Sequence, residues 1–241
     1  MEIKTSNKRG NIGIAIAIII AGLLIATSVV VTNNKDSQQE KTSQEISSEE
    51  SINEPIVISE VSEEDYIRGD INAPIKIIEY SDTECPFCKR LHQTLKKVHE
   101  EYPEDVVWVY RHLPMLQLHP KALPEAVATE CAGEQRGDDA FWQMLDRIYE
   151  ETPGNNRLDL EKLPEFATDI GLDVDKFNEC LTSNRYEEKI AKQTEEAFNA
   201  GAKGTPFSVV VTPEGNYISV PGAQPIDVWT NLIDSILENE S

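Results

Sequence analysis

Basic residues are scarce in this chain of 241 residues. Lysine and arginine together number 22 against 43 aspartates and glutamates, which gives a formal net charge of −21. A polyanion binds through clusters of positive charge and is repelled by a surface of negative sign. The composition therefore excludes nucleic acid as the main partner, while the 39% of hydrophobic residues leaves enough apolar material for a core.

Cysteines and histidines are also few, with four of each. Cys85, Cys88 and His92 are spaced so that all three can lie on one side of a helix. A structural zinc site needs four ligands, and no second pair of cysteines or histidines has the spacing to complete this one. We therefore expect no metal and a redox role for the cysteines.

Charged residues are missing altogether from residues 12–32. Twenty helical residues span about 30 Å, the thickness of the hydrocarbon core of a bilayer. Residues 1–11 are basic and acid-rich sequence follows the run, so the positive-inside rule predicts a cytoplasmic N-terminus and an extracytoplasmic remainder. We interpret residues 12–32 as the transmembrane signal anchor of a single-pass protein of the cell membrane. A cleaved signal peptide, the alternative, would secrete the same domain.

Residues 33–55 offer almost nothing to bury, because Ser, Gln, Glu, Asn and Lys dominate them. Such a composition cannot offset the entropy that a chain loses on ordering. We expect a disordered acidic linker here and one folded domain over residues 56–241.

The folded region begins with two strands and a helix. Residues 75–80 and 106–111 are typical of buried strands, and a helical pattern from Cys85 to about residue 101 lies between them. A helix that connects two strands of one sheet predicts that the strands are parallel.

A long helical region follows, to about residue 201, with breaks expected at Gly137, Pro153 and Gly171. The pattern 207–220 then predicts two strands joined by a turn, and an amphipathic helix closes the chain. The order of elements indicates an α/β sheet interrupted by a block of helices.

Cys85-Pro86-Phe87-Cys88 lies where the first strand turns into the first helix. Unpaired N–H groups and the helix dipole at that point favour a negative charge, which lowers the pKa of a thiol and makes it a nucleophile. The second cysteine lies on the same helix face and can resolve a mixed disulfide. This stretch predicts thiol–disulfide exchange.

Together with Gly204-Thr205-Pro206, this motif makes residues 56–241 resemble the DsbA-like branch of the thioredoxin superfamily. Further shared stretches are Glu79-Tyr80-Ser81-Asp82, Tyr110-Arg111-His112-Leu113-Pro114, Glu130-Cys131-Ala132, Phe177-Asn178-Glu179-Cys180-Leu181 and Gly222-Ala223-Gln224-Pro225. The resemblance implies a thioredoxin-like α/β fold with an inserted α-helical subdomain over about residues 115–201. It also implies a reaction carried by the protein's own thiols, without a cofactor.

The resemblance assigns roles to individual residues. Cys85 is the attacking thiolate and Cys88 the buried resolving cysteine, while Thr205–Pro206 is a cis peptide beside the disulfide. Glu79 matches the buried acid of the family, which exchanges a proton with Cys88 through water.

The residues between the cysteines depart from the best-known oxidase of this branch, which has Pro-His there. Here Pro86 is followed by Phe87, which can neither donate a hydrogen bond nor carry charge. Two acids before Cys85 oppose its ionisation, and two basic residues after Cys88 favour it. We predict a pKa of Cys85 below that of free cysteine, and a couple less oxidising than the Pro-His type.

Cys131 and Cys180 lie in two different predicted helices. Outside the cytoplasm the two can form a structural disulfide, which we predict. The alternative is a pair of buried thiols packed as small hydrophobic side chains.

These inferences predict an extracytoplasmic protein-disulfide oxidoreductase that oxidises the thiols of exported proteins, recognised through exposed apolar surface near Phe87 and Phe207. By family logic, a quinone-linked membrane protein of the DsbB or vitamin K epoxide reductase type reoxidises it. Two alternatives stay open. The same site can act as a disulfide reductase or isomerase, or the domain can be a client-binding module whose active-site disulfide is only structural.

Overall fold

The computed structural model describes residues 56–239, and five strands in this range form one sheet. They are β1 (Tyr66–Arg68), β2 (Ile75–Ser81), β3 (Val106–His112), β4 (Phe207–Val211) and β5 (Tyr217–Pro221), in the spatial order β1-β3-β2-β4-β5. Strands β2 and β3 are parallel, which confirms the predicted pair, and the other pairings are antiparallel. Strand β1 was not predicted, because three residues are too few to show an alternating pattern.

Helices cover the sheet and fill the interval between β3 and β4. They are α1 (Pro86–Glu101), α2 (Ala122–Glu151), α3 (Leu163–Asp169), α4 (Val174–Leu181), α5 (Glu187–Asn199) and α6 (Ile226–Glu238). Helix α1 crosses from β2 to β3, and α2 to α5 form the inserted block. The fold is thioredoxin-like α/β with inserted helices, as predicted.

The predicted cytoplasmic stretch, signal anchor and linker all fall within residues 1–55, which lie outside the described residues. Between residues 56 and 239, no helix is both long enough and apolar enough to cross a bilayer. The anchor therefore stays a prediction.

Different helices cover the two faces of the sheet. On β2, Ile77 packs with α1, α6 and the second half of α2, whereas Ile78 packs with α5 and the segment that precedes β1. Side chains alternate along a strand, so Glu79 and Ser81 lie on the same face as Ile77. Two polar residues of the central strand are therefore buried beneath α1.

Helix α2 bends sharply in its middle. Arg136 and Gly137 leave the helical conformation, and Gly137 has a φ of +67°, a region that favours glycine. The predicted break at this residue is confirmed. The segment after the bend packs Phe141 and Trp142 into the sheet core, and the segment before it builds a second core with α3 and α4. The inserted block thus shares α2 with the sheet domain rather than standing apart from it.

A disulfide joins Cys131 of α2 to Cys180 of α4, with the two Cα atoms 5.8 Å apart. Both residues are buried in the second core, where the bond holds α4 against the first half of α2. The two cysteines are 49 positions apart in sequence, so the bond closes a long loop.

Replacing both cysteines with serine, in the variant C131S/C180S, is expected to lower the free energy of unfolding by about 4 kcal/mol, because the unfolded chain regains the freedom that closing this loop removes. Urea unfolding of variant and wild type measures the difference. Exchange at Cys85 in the folded variant should be unchanged and serves as the control. A loss below about 1 kcal/mol would contradict the expectation.

Candidate active site

Cys85 lies where the turn after β2 becomes helix α1. Its backbone is extended, as at a helix N-cap, and Pro86 occupies the first turn, where a missing N–H removes no helical hydrogen bond. The Cys85 amide donates to the Asp82 carbonyl at 3.1 Å, and the Glu84 amide donates to Asp82 Oδ1 at 2.8 Å. These turn contacts fix Cys85 at the N-terminus of the helix.

Hydrogen bonding favours the thiolate of Cys85. A hydrogen bond from Cys88 is the largest cause that lowers the pKa of Cys85 to about 6, against the opposing effect of burial. The Thr205 side chain and the backbone amides of Phe87 and Cys88 act in the same direction. Cys85 Sγ lies 3.6 Å from the Thr205 carbonyl oxygen, and the Thr205–Pro206 bond is cis. The shift has the predicted direction.

Cys88 behaves in the opposite way. Its side chain is fully buried, and burial raises its pKa well above the ordinary value. The Asp82 amide donates toward Cys88 Sγ at 3.4 Å, and both Cys85 and Cys88 are free thiols here. One thiol therefore ionises near neutral pH while the other keeps its proton, which is the asymmetry that stepwise exchange requires.

Glu79 is a buried acid on the same face of β2. Its Oε2 accepts a hydrogen bond from Trp108 Nε1 at 2.9 Å, and its Oε1 has no hydrogen-bond partner among the described residues. Burial raises the pKa of Glu79 to about 7, although Ser81, Trp108 and the charge of Arg68 each lower it. A carboxyl group that is partly protonated at neutral pH can both accept and donate a proton.

Three buried hydroxyl groups lie next to these residues, and the sequence analysis assigned no role to any of them. Ser81 Oγ and Tyr149 OH are 3.1 Å apart, and Tyr149 OH lies 3.5 Å from Tyr110 OH. The position of Ser81, two residues after Glu79 on one strand, was a signal that both share a face. No pattern in the sequence indicated Tyr149. This residue lies near the C-terminal end of α2, and only the packing of the insertion brings it to the active site.

Charged side chains near the cysteines form hydrogen bonds with other parts of the chain. The Glu84 carboxylate accepts hydrogen bonds from the backbone amides of residues 156–158 at 2.6 to 3.3 Å, and Asp82 Oδ2 accepts one from Met115. Lys89 Nζ donates to the Thr152 carbonyl at 2.9 Å. The prediction that acidic and basic side chains near Cys85 have opposing effects on its pKa is therefore wrong in its emphasis, because hydrogen bonds are the main cause of the lowered pKa.

The surface beside Cys85 is aromatic. Phe87 is 56% exposed, and the Arg90 guanidinium lies 4.9 Å from the centroid of its ring. Exposed apolar surface was also expected near Phe207, but Phe207 itself does not provide it. It pairs with Tyr80 between β2 and β4, on the face that α5 covers, and is buried there.

His92, which was considered as a metal ligand, lies beside a carboxylate, and so do His112 and His119. The distances are 2.6 Å from His92 Nε2 to Asp146 Oδ1, 3.2 Å from His112 Nε2 to Glu130 Oε1 and 2.9 Å from His119 Nδ1 to Asp82 Oδ2. Among residues 56–239, no group of three or more His, Cys, Asp or Glu side chains is arranged to hold a metal ion. His119 thus supports the turn before Cys85 through Asp82.

Comparison with known families matches a thioredoxin family model to residues 61–221, about two thirds of the chain. The chain belongs to the thioredoxin family. This thioredoxin domain is similar to DsbA2 of Pseudomonas aeruginosa, with 30% identity, a TM-score of 0.60, and coverage of 70% of this chain and 93% of that one.

Two further solved structures share the fold of this thioredoxin domain. Alpha-DsbA1 of Wolbachia pipientis is 24% identical, with a TM-score of 0.63, and the match covers 73% of this chain and 92% of that one. Oxidised BdbD of Bacillus subtilis is 19% identical, with a TM-score of 0.63 and coverage of 72% and 93%. At these identities the likeness concerns the fold.

The curated relatives are much longer proteins. Na(+)/H(+) antiporter NhaA 3 of Salinispora tropica is 34% identical over 142 residues, which is 59% of this chain and 21% of the relative. NhaA 1 of Mycolicibacterium gilvum is 29% identical over 146 residues, or 23% of its length. The chain thus spans about a fifth of these relatives, and the similarity concerns one segment of each.

Proposed function

We propose that the protein is an extracytoplasmic protein-disulfide oxidoreductase that donates a Cys85–Cys88 disulfide to exported proteins. The observation that carries this proposal is the contrast between its two thiols, a pKa of about 6 for Cys85 and a strongly raised pKa for Cys88. Stabilising the Cys85 thiolate stabilises the reduced protein, and a stable reduced form makes the disulfide a stronger oxidant. The similarity to DsbA2 supports the same reaction.

Oxidation begins when a substrate thiolate attacks Cys85 Sγ of the protein disulfide. The bond between Cys85 and Cys88 breaks, Cys88 leaves as a thiolate and takes up a proton, and a mixed disulfide with the substrate forms. A second substrate thiolate then attacks the substrate sulfur of that mixed disulfide. Cys85 leaves as its stabilised thiolate, and two electrons have passed from the substrate to the protein.

The substrate would dock against the surface around Cys85. The exposed Phe87 ring offers an apolar contact, and the backbone at Thr205 offers hydrogen-bonding groups to an extended polypeptide. Both features suit unfolded chains, which present apolar side chains and free backbone amides.

Residues 12–32 would hold the domain at the outer side of the cell membrane. A quinone-linked membrane protein of the DsbB or vitamin K epoxide reductase type would remove the two electrons that the reduced pair retains. The support for both statements is the sequence pattern and the DsbA-like character of the domain.

The reduction potential of the Cys85–Cys88 pair tests the direction of exchange. A thiol with a pKa of about 6 lies between thioredoxin, at about 7 and −270 mV, and the oxidase DsbA, at about 3.5 and −120 mV. We therefore expect a potential between these limits when the full chain is equilibrated with glutathione buffers. The variant C131S/C180S should give the same value.

The other outcomes separate the alternatives. A potential at or below about −270 mV would favour a reductase, which needs an electron supply. A pair that never exchanges with glutathione would favour the client-binding module.

A further inference from the structure

Helix α1 is positively charged in a chain that is otherwise acidic. Acids outnumber bases 43 to 22 overall, yet residues 86–99 hold four lysines and arginines and no acid. Lys89 donates to carbonyls at the C-terminal end of α2, which attract a cation, and Lys96 pairs with an aspartate. The side chains of Arg90 and Lys97 donate no hydrogen bond within residues 56–239. Of these two, Arg90 is the one beside the active site.

The segment between α2 and α3 packs against the turn that carries the active site. The Asn155 amide donates to the Glu84 carbonyl at 2.7 Å. A Cβ added at Gly154 would lie only 3.1 Å from Pro86 Cγ, so the two residues are in close contact. Residues 152–158 therefore border the surface beside the reactive thiol.

Two exposed arginines lie beside the dipeptide Pro86-Phe87. The Arg90 guanidinium lies 4.9 Å from the centroid of the Phe87 ring. Arg157 belongs to the segment that packs against Pro86, where its Nε donates to the Gly154 carbonyl at 3.0 Å. Both arginines are exposed to solvent. A polypeptide that brings a cysteine to this site therefore meets positive charge next to an apolar ring.

The fold itself does not neutralise these two charges. Their guanidinium groups contact a ring and backbone carbonyls, and neither pairs with a carboxylate in residues 56–239. Residues three and four positions from Arg90, its neighbours on the helix surface, are all uncharged: Pro86, Phe87, Gln93 and Thr94. The Glu84 carboxylate is buried and accepts backbone amides, and Glu151 pairs with Arg147 and Lys162.

The reactivity of Cys85 does not account for the two arginines either. Hydrogen bonds are the main cause of its lowered pKa. Two cations without a carboxylate partner, beside an exposed aromatic ring, are complementary to a ligand that carries negative charge next to apolar groups.

We propose that Arg90, Arg157 and the Phe87 ring form a docking surface for client segments in which acidic side chains flank the reacting cysteine. This inference names a substrate class for the proposed oxidation and rests on that function. Successive residues of an extended client are about 3.3 Å apart, so the three residues on either side of its cysteine lie within about 10 Å of it. Arg90 follows Cys85 by five residues, or about 7.5 Å along the helix axis.

The net negative charge of the whole chain does not prevent this contact. Salt screens exposed charges beyond about 8 Å at physiological ionic strength. The cations next to the reacting cysteine therefore act on a docked client more strongly than acids elsewhere on the surface.

Three peptides that differ only in charge test the docking surface with the full chain. Each peptide has two cysteines, and the residues that flank each cysteine are Glu, Gln or Lys. The oxidised protein is mixed with each peptide at low salt, and peptide oxidation is followed by chromatography after acid quenching. Acidic neighbours lower the thiolate fraction of the peptide itself. Each rate is therefore divided by the rate of the same peptide with 2-hydroxyethyl disulfide, an uncharged reagent.

We expect the wild type to oxidise the Glu peptide about fivefold faster than the Gln peptide after this correction, and the Lys peptide more slowly than both. Raising the salt to about 0.5 M should bring the ratio of Glu to Gln rates close to one. The double variant R90Q/R157Q should also have a ratio close to one at low salt. Any change in the reactivity of Cys85 alters the rates of all three peptides alike and cancels in the ratio.

Two matched variants serve as controls. Lys97→Gln removes an exposed cation from the same helix, seven residues beyond Arg90 and about 10 Å farther along the axis, and should keep the wild-type ratio. Arg157→Lys keeps the charge but cannot form both hydrogen bonds to the Pro153 and Gly154 carbonyls, and should keep most of the ratio. These variants separate local charge from net charge and from support of the segment.

A ratio near one in the wild type at low salt, or a fivefold ratio that persists in R90Q/R157Q, overturns the docking surface. An equal loss in Lys97→Gln also overturns it, because net charge would then account for the preference. A wild-type ratio that falls as the protein concentration rises would assign the surface to a second copy of this acidic chain and overturns the assignment to clients.

If circular dichroism shows that R90Q/R157Q is unfolded, Arg90→Gln decides, because its guanidinium lies on an exposed ring outside the core. An unchanged ratio in that variant overturns the docking surface. A wild type that oxidises none of the three peptides overturns the proposed function itself.

Discussion

Replacing Cys85 with serine is expected to abolish disulfide exchange, and replacing Cys88 with serine should leave the protein trapped as a mixed disulfide. The first variant lacks the nucleophile, because a serine hydroxyl does not ionise near neutral pH. The second keeps a thiol at the helix N-terminus but has no resolving sulfur. Oxidation of a reduced test peptide measures the first effect, and non-reducing electrophoresis detects the trapped adduct.

The pH dependence of the same thiol is part of this expectation. A pKa of about 6 makes Cys85 about 90% thiolate at pH 7, whereas free cysteine is ionised to a few per cent. The rate of Cys85 alkylation in the wild type should therefore rise as the pH passes about 6 and level off above it. In Cys88→Ala the midpoint should move upward, because the largest hydrogen bond to the thiolate is lost.

Three results would contradict these expectations. A midpoint at or above about 8.5, the value of free cysteine, would mean that the helix N-terminus does not stabilise the thiolate. If Cys85→Ser exchanged disulfides as fast as wild type, residues other than Cys85 would have to carry the reaction. If the wild type and the variants all bound client proteins but none of them exchanged disulfides, the client-binding module would be favoured. The variant C131S/C180S, with the active-site pair intact, is the control for nonspecific alkylation.

Replacing Arg111 with methionine is expected to lower the free energy of unfolding by about 3–5 kcal/mol, the cost of breaking a buried ion pair by removing one partner. Arg111 donates two hydrogen bonds to the Asp65 carboxylate, both at 2.8 Å, and one to Glu196 Oε1 at 2.6 Å. The side chains of Arg111 and Asp65 are 3% and 5% exposed. Methionine replaces the aliphatic part of the arginine side chain and leaves two carboxylates without their guanidinium partner.

Urea unfolding of Arg111→Met beside Lys192→Met tests this expectation. Lys192 lies on α5 like Glu196, but its ion pair with Glu188 is fully exposed, so its loss should leave the unfolding midpoint close to wild type. Adding Asp65→Asn and Glu196→Gln to Arg111→Met should recover part of the stability, because the buried charges are then removed together. Equal midpoints for the two methionine variants would contradict the expected effect.

Strong local patterns made much of the fold predictable. The buried runs of β2 and β3, the break at Gly137 and the hairpin of β4 and β5 all appear in the sequence as β-branched stretches or glycine and proline positions. The short strand β1 does not, since its pairing with β3 depends on tertiary contacts. The sharing of α2 between the two cores was also beyond local pattern, because it depends on tertiary packing.

The candidate site also contains some residues that local pattern predicts and others that it does not. Cys85, Cys88 and Glu79 could be located because each occupies a characteristic place, at a helix N-terminus or within an apolar strand. The partners that set their protonation could not be located so readily. Thr205 was found through its proline, but Tyr149 approaches only because the insertion folds back over α1 and β2.

The strand order also determines when the active site is completed. The central strand β2 pairs with β4, which the chain reaches only after the whole inserted block. We expect contacts between segments so distant in sequence to form late, because a long loop must close first. Until then Cys85 lacks the Thr205 hydrogen bond that helps to lower its pKa. We therefore expect Cys131 and Cys180, both within the insertion, to be able to pair before β4 joins the sheet and the active site is complete.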